Sequence, residues 1–171
     1  NHAVAGDINN DGYIDVVVAI TRDLPYYEGA YVQILLNNGT GELVDVTESS
    51  FPDQPRSDTH HGEGNIYLRD MNLDGSLDIV HSTRDYNSGY HGSHIAINDG
   101  MGNFTSIENS KLPDKPDPGY NNYDFLMKAL PINADDEACL DFISVTDAGW
   151  ENNQKETSNY FFTVLNTNCN F

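Results

Sequence analysis

The sequence predicts an all-β protein built from four-stranded antiparallel blades, the unit of a β-propeller. Three observations lead to this prediction: an acidic nine-residue motif recurs at an offset of 63 residues, two apolar runs rich in β-formers follow each copy, and Asn-Gly or Asp-Gly turns end the second run in two of the three copies. No stretch has a sustained 3.6-residue apolar period, so we expect few helices. Four short strands per repeat are typical of a propeller blade.

The repeat sets the expected organisation of the chain. DINNDGYID at residues 7–15 recurs as DMNLDGSLD at residues 70–78, and a degenerate copy, NADDEACLD, occupies residues 133–141. A single propeller segment, 1–171, is therefore expected, with repeats at 1–63, 64–126 and 127–171, the last incomplete. These are about 2.7 blades, fewer than a closed ring of four to eight needs. We expect a larger ring, of the seven-bladed type, completed by the same protein or by neighbouring chains.

Each repeat is predicted to contain a strand, the acidic loop, a second strand, a long variable loop, a third strand, a tight turn and a fourth strand. The second strands are expected at residues 16–20, 79–80 and 142–145, and the third strands at residues 31–36, 94–97 and 161–165. The tight turns are expected at residues 37–41 and 98–102, and the fourth strands at residues 42–47 and 103–107. Asn, Asp and Gly suit these turns because they tolerate a positive φ.

Composition excludes several classes of function. The chain has 8 basic and 27 acidic side chains and a net charge of −19, so it lacks a basic stripe for nucleic acid or anionic lipid. No apolar run approaches the roughly 18–20 residues of a membrane span. With 10 Tyr and 7 Phe the chain is too aromatic for a disordered acidic tail. We expect a folded, secreted or cell-surface domain, whose secretion signal would precede residue 1.

The spacing of oxygen side chains in the acidic motif predicts a Ca²⁺ site. The pattern D-x-N-x-D-G-x-x-D places hard oxygen donors at positions 1, 3, 5 and 9, and the glycine at position 6 permits a left-handed turn. Oxygen donors without His or Cys favour Ca²⁺ over zinc or copper. With the carbonyl of position 7 included, the predicted ligands are Asp7, Asn9, Asp11, Tyr13 and Asp15 in the first copy and Asp70, Asn72, Asp74, Ser76 and Asp78 in the second.

Two other interpretations of the motif are less favourable. An EF-hand needs a Glu at position 12 between two helices, whereas position 12 is Val18 or His81, in or beside strand-like runs. If the acids were only solvated turn residues, three carboxylates would repel one another in each loop. A bound cation removes that repulsion.

The third copy predicts a weaker site. Its ligand positions hold Asn133, Asp135, Glu137, Cys139 (through its carbonyl) and Asp141, but Ala138 replaces the glycine, so whether it binds a third Ca²⁺ is left open. Cys139 begins the second strand of this repeat and Cys169 follows its third. Those ends are neighbours in an antiparallel hairpin, so we expect a Cys139–Cys169 disulfide rather than a reduced pair.

These motifs resemble the FG-GAP/VCBS repeat of integrin-α-like β-propellers. The resemblance rests on AGDINNDGYIDVV at residues 5–17, on LRDMNLDGSLDIV at residues 68–80, and on the ILLNNGTG and AINDGMG segments. It covers almost the whole chain, and it implies that loop ions brace the blades while loops on the faces of the ring bind ligands. Members of such families bind proteins or sugars, and some related rings are polysaccharide lyases, so the fold does not choose among these.

The long loops are the expected recognition elements. Residues 23–28, 84–91 and 147–153 each place an aromatic side chain beside a carboxylate or amide, which suits stacking on sugars or packing between blades. We therefore expect a calcium-stabilised module for adhesion or for recognition of an extracellular glycan or protein.

Two alternatives remain. The first is a fragment of a polysaccharide lyase in which His91 with Tyr86 or Tyr90 abstracts a proton, although nothing in the sequence brings these side chains together. A catalytic role is therefore less favoured than a binding one. The second is a structural subunit of an extracellular filament or coat. Asn38 and Asn103 begin glycosylation sequons, which matter only in a eukaryotic secretory protein.

Overall fold

The fold is described by a computed structural model. It covers residues 2–21, 28–54, 57–61, 64–83, 94–106, 125–132, 141–147, 150–151, 154–155 and 160–164. The elements are β1 (His2–Gly6), β2 (Asp15–Thr21), β3 (Glu28–Asn37), β4 (Leu43–Asp45), α1 (Thr47–Ser50), β5 (Ser57–His61), β6 (Gly64–Arg69), β7 (Asp78–Thr83), β8 (His94–Asn98), β9 (Phe104–Ser106), β10 (Phe125–Ile132), β11 (Asp141–Asp147), β12 (Trp150–Glu151), β13 (Gln154–Lys155) and β14 (Tyr160–Val164). The all-β prediction is confirmed. No helix in these ranges is long and apolar enough to cross a membrane.

Two four-stranded antiparallel sheets carry the two strong repeats. Unit 1 has the order β1-β2-β3-β4, with β5 added on β3, and unit 2 has the order β6-β7-β8-β9. The acidic loop connects the first two strands in each unit, and its last residue pairs with the residue before the loop, Gly6 with Asp15 and Arg69 with Asp78. The predicted order of strands and turns is therefore confirmed in both units.

Beyond unit 2, three strands form an antiparallel sheet in the order β10-β11-β14. β12 and β13 form a separate two-residue ladder, in which Trp150 pairs with Lys155, where the sequence predicted a loop. The first strands of the sheets are neighbours: β1 lies against β6, and β10 lies against β6 and β7. This side-by-side arrangement of first strands is that of partial propeller blades.

The core lies between units 1 and 2 and draws side chains from both. Alternate residues of β2 point into it, so Val17 is fully buried while its neighbours are partly exposed. Phe51, which follows α1, is fully buried, and its ring lies 6.1 Å from that of Phe104 in β9. The buried cluster consists of Ile8, Val17, Ala19, Val32, Ile34, Phe51, Ile66, Leu68, Ile79, Ala96 and Phe104.

The prediction that the fourth strand of unit 1 extends to Thr47 was wrong, because β4 ends at Asp45 and α1 begins at Thr47. β4 and β5 pair with opposite ends of the long strand β3, which leaves backbone N–H groups between them without a strand partner. Side chains satisfy two of these groups. The Thr47 Oγ1 accepts from the Ile34 N–H at 2.9 Å, and the Gln54 Oε1 accepts from the Val32 N–H at 2.9 Å. The helical turn thus positions polar side chains where a longer strand would have paired.

Candidate functional site

The first residue of each acidic motif closes its loop by accepting two backbone hydrogen bonds. We call residues 7–15 acidic loop 1 and residues 70–78 acidic loop 2. In loop 1 the Asp7 Oδ1 accepts from the Asp11 N–H at 3.1 Å and the Asp7 Oδ2 accepts from the Gly12 N–H at 2.9 Å. Gly12 has φ +89°, a conformation that glycine adopts without steric cost. The glycine at position 6 thus allows the chain to fold over the first carboxylate.

The side-chain oxygens at positions 3 and 5 also accept hydrogen bonds from backbone N–H groups of the loop. The Asn9 Oδ1 accepts from the Asp11 N–H at 3.2 Å, and the Asn9 Nδ2 donates to the Asp11 Oδ2 at 2.9 Å. The Asp11 Oδ1 in turn accepts from the Tyr13 N–H at 2.8 Å. Since Asp7 and Asn9 share one N–H donor, oxygens of positions 1 and 3 lie on the same turn.

Acidic loop 2 has the same geometry. The Asp70 oxygens accept from the Asp74 N–H at 3.0 Å and the Gly75 N–H at 2.8 Å. Asn72 accepts from the Asp74 N–H at 3.1 Å and donates to the Asp74 Oδ2 at 2.9 Å, while the Asp74 Oδ1 accepts from the Ser76 N–H at 2.8 Å. The hydrogen bond from the Ser76 N–H, followed by that from the Asn72 amide, lowers the pKa of Asp74. Asp74 is therefore held in its charged form.

Position 9 has a structural role that the sequence did not reveal. Asp15 and Asp78 are fully buried. The Asp78 Oδ2 accepts from the Met71 N–H at 2.7 Å, and the Asp78 Oδ1 accepts from the Asn98 N–H at 2.8 Å. In unit 1 the Asp15 oxygens accept from the N–H groups of Ile8 and Asn37 at 3.0 and 2.8 Å. This carboxylate therefore ties the start of the acidic loop to the end of the third strand.

Burial affects the pKa of the Asp78 carboxyl more than any other factor. Removal from water raises the pKa of the Asp78 carboxyl, and the two backbone hydrogen bonds from Asn98 and Met71 partly oppose that effect. The negative charges of Asp74 and Asp70 raise the Asp78 pKa further. The carboxylates of Asp74 and Asp70 are thus close enough to Asp78 to disfavour its charged form.

Sequence reasoning also missed the first residue of each tight turn. The Asn98 Oδ1 accepts from the Gly100 and Gly102 N–H groups at 3.0 and 3.1 Å, and its Nδ2 donates to the Leu77 carbonyl at 3.0 Å. Asn37 makes the matching bonds in unit 1. The signal was present in the matched segments NNGTG and NDGMG, both of which begin with Asn.

Acidic loop 1 also contacts unit 2. The Asn98 Nδ2 donates a second hydrogen bond to the Ile8 carbonyl at 2.7 Å, and the Asn10 Nδ2 donates to the Gly100 carbonyl at 3.0 Å. At the other end of β1, the His2 Nδ1 accepts from the Ile66 N–H at 3.0 Å. The conformation of acidic loop 1 is therefore coupled to the packing of the two units.

The donor set of each acidic loop consists of hard oxygens. Within the described residues, no group of three or more His, Cys, Asp or Glu side chains is arranged to hold a metal ion. A Ca²⁺ ion in loop 1 would be held by Asp7, Asn9 and Asp11, with Asp15, the Tyr13 carbonyl and water completing the six to eight oxygens it requires. Because a carboxylate oxygen has two lone pairs, Asp15 can keep its backbone bonds and still contribute.

Several predicted site residues lie outside the described part of the chain. Of the third acidic motif only Asp141, the first residue of β11, is described. Asn133, Asp135, Glu137, Cys139 and Cys169 lie outside it, as do Tyr86, Tyr90 and His91 and most of the long loops. The third Ca²⁺ site, the disulfide and the lyase hypothesis therefore stay predictions.

Comparison with known families identifies the repeat. Residues 7–81 match the family described as FG-GAP-like repeat, a match that begins at acidic loop 1 and ends in β7. This confirms the FG-GAP repeat predicted from the sequence. Searches of curated proteins and of solved structures found no match to the chain.

Proposed function

We propose that the FG-GAP-like repeat region is a calcium-stabilised, integrin-type propeller module of a secreted or cell-surface protein, which serves adhesion or the recognition of a glycan or protein ligand. Each acidic loop binds one Ca²⁺, and the two ions hold the loops that join the first and second strands. The sheets then present their variable loops as the binding surface.

The observation that carries the calcium part of the proposal is the identical geometry of the two loops. Five hydrogen bonds within loop 1 have counterparts in loop 2, and paired lengths differ by 0.1 Å at most. The residues between the oxygen donors differ: Ile8 is replaced by Met71 and Asn10 by Leu73. Only the side-chain oxygen donors and the glycine that permits the turn are shared, which is the pattern expected of a loop that binds Ca²⁺.

Backbone strain supports the same proposal. Asn10 and Leu73 occupy position 4 of their loops with φ of 58° and 60°. This left-handed conformation is uncommon for residues other than glycine and costs on the order of 1–3 kcal/mol where it is imposed. Both loops adopt it at the same position, so the strain belongs to the motif rather than to one residue. A bound cation would offset both this strain and the repulsion among the carboxylates.

Calcium titration calorimetry on the full chain tests the proposal. We expect at least two ions per chain, and we expect Asp11→Ala and Asp74→Ala each to remove one of them. Asp53→Ala is the matched control, because Asp53 is an exposed aspartate in the turn after α1 and its loss removes the same charge. Equal calcium uptake by the wild type and the two loop variants would contradict the proposal.

The recognition part is tested separately by binding to a glycan array in calcium and again with a chelator. We expect binding that requires calcium, because the ions stabilise the sheets that carry the variable segments, which follow β2 and β7 at the ends of these strands away from the acidic loops. Ligand binding that is unchanged by the chelator would contradict a role for the ions in recognition. Binding to no glycan would favour a protein ligand.

A further inference from the structure

A histidine joins the first strands of the two units at the end of the sheets away from the acidic loops. The His2 Nδ1 accepts a hydrogen bond from the Ile66 N–H at 3.0 Å. Ile66 is fully buried in β6, whereas His2, the first residue of β1, is only partly buried. An imidazole that accepts through Nδ1 is neutral and carries its proton on Nε2. This contact between the units therefore depends on the charge of one side chain.

The imidazole takes the place of a strand partner for β6. Ile66 lies opposite His81 in the antiparallel pair of β6 and β7, but its N–H points to the other side, toward β1. Among the described elements, no strand is hydrogen-bonded to this edge of β6. Because a buried N–H without an acceptor is unfavourable, His2 stabilises the packing of the units through this bond.

Protonation of His2 removes the acceptor. Both ring nitrogens of an imidazolium are donors, so Nδ1 can no longer accept. Turning the ring over does not help, because a C–H group then takes the place of Nδ1. The buried Ile66 N–H is left without a partner and faces a positive charge. Histidine is the side chain whose ordinary charge change falls between about pH 5 and 8, so mild acid is sufficient.

The strands around His2 do not supply an ion pair for its protonated form. Within the described ranges, the titratable or charged residues on β2 and β6, the strands that lie against β1, are Asp15, Tyr67 and Arg69. Asp15 is at the far end of β2, opposite Gly6. The rings of Tyr67 and His2 have centroids 6.2 Å apart, and burial raises the pKa of Tyr67, so Tyr67 is neutral in mild acid. Arg69 carries the same charge as an imidazolium.

The contact lies close to the points where two variable segments begin. β2 ends two residues beyond the partner of His2, and β7 ends two residues beyond the partner of Ile66. The variable segments at residues 23–28 and 84–91 follow these strand ends in the sequence. A change in the contact between β1 and β6 therefore acts at the end of the units from which these segments extend.

We propose that His2 makes the contact between units 1 and 2 pH-sensitive: the neutral imidazole holds β1 on β6, and its protonation releases these strands at the end where the variable segments begin. At the acidic-loop end, Asn98 and Asn10 donate amide hydrogen bonds across the units, and amides do not titrate. Mild acid thus loosens one end of the contact and leaves the other intact. This inference goes beyond the proposed function, because it concerns regulation and requires no bound Ca²⁺.

Hydrogen exchange of single amides, followed by NMR on the full chain, tests the proposal. Between about pH 7.5 and about pH 5, we expect the protection factor of the Ile66 amide to fall by about tenfold, which corresponds to about 1.4 kcal/mol. The Val32 amide is the matched control, because it is also buried and donates to the Gln54 Oε1 at 2.9 Å, an acceptor that does not titrate. An equal fall at both amides would indicate general loosening and would overturn the proposal.

Two variants separate His2 from the other groups that titrate. In His2→Asn the Oδ1 replaces Nδ1 as the acceptor and does not titrate, so Ile66 should be protected nearly equally at both pH values. His2→Ala should show at about pH 7.5 the low protection that the wild type shows at about pH 5. His81, His94 and Asp78 are retained in both variants, so any pH dependence that they cause persists. A fall in His2→Asn as large as in the wild type, or full protection in His2→Ala, would overturn the proposal.

The measurements are made in calcium and in chelator. The same pH dependence in both conditions supports the proposal whether or not the acidic loops bind Ca²⁺. Absence of calcium binding, together with loss of Ile66 protection in acid, would refute only the proposed function. Calcium binding with Ile66 protection that does not change with pH would refute only this inference.

Discussion

The buried carboxylate at position 9 offers the sharpest test of how the acidic loops are held. In acidic loop 2 the Asp78 oxygens satisfy two buried N–H groups, those of Met71 and Asn98. Asp78→Asn keeps one acceptor oxygen but turns an amide N–H₂ toward the other donor, which leaves one buried N–H without a partner. Asp78→Ala leaves both without a partner.

The expected cost follows from the number of unsatisfied groups. Each buried donor without a partner costs about 1–3 kcal/mol. Asp78→Asn should therefore lower the free energy of unfolding by about 1–3 kcal/mol and Asp78→Ala by about 2–6 kcal/mol. We expect both losses of unfolding free energy near the lower ends of these ranges, because each substitution also removes the buried charge of Asp78, which the carboxylates of Asp74 and Asp70 repel.

Urea unfolding in excess chelator measures these costs without any contribution from bound ions. Asp74→Asn is the control, because Asp74 is exposed and should cost about 0.5 kcal/mol or less in chelator. The expected order of destabilisation is Asp78→Ala, then Asp78→Asn, then Asp74→Asn. If Asp78→Ala is no more destabilising than Asp74→Asn, position 9 does not tie the loop to the third strand and the reasoning is refuted.

Three further predictions concern the contact between the two units, the tight turns and the end of β4. Gly6→Ala would place a methyl group 2.8 Å from a leucine methyl of unit 2 and should cost about 1–3 kcal/mol in thermal unfolding; unchanged stability would refute close packing there. Asn98→Ala should cost about 1–3 kcal/mol more than Asn37→Ala, because only Asn98 also bonds across the units, and equal costs in urea unfolding would contradict this. The pKa of Asp45 lies below 3.8, chiefly because of the hydrogen bond from the Thr47 hydroxyl, so its stabilisation is present above that pH and is lost on further acidification. Asp45→Asn removes this titrating carboxyl, so the unfolding free energy of the variant should fall less steeply below pH 3.8 than that of the wild type. Equal slopes for the two proteins would contradict this prediction.

The repeat made most of the fold predictable from the sequence. Strand order, turn positions and both acidic loops follow from residues that recur at equivalent positions, since each repeat must build the same local structure. The glycine at position 6 could be assigned a left-handed conformation for the same reason, and Gly12 and Gly75 have φ of 89° and 92°.

Contacts that join distant segments could not be predicted in this way. Periodicity shows which residues face a core, but it does not show that Asn98 reaches the Ile8 carbonyl, 90 residues away in the sequence. Nor does it show that Thr47 replaces a strand partner for Ile34. The roles of Asp15 and Asp78 were predicted only in part, for a related reason. The spacing of ligand residues does not show which backbone N–H groups donate hydrogen bonds to the same carboxylate oxygens.

The central claim, that each acidic loop holds one Ca²⁺, is tested most directly by an anomalous difference map from crystals grown in calcium. We expect one peak in acidic loop 1 and one in acidic loop 2, with protein oxygens at about 2.3–2.6 Å from each. Calcium-saturated crystals without a peak in either loop, and with the Asp7 and Asp70 carboxylates still bonded only to backbone N–H groups, would contradict the claim.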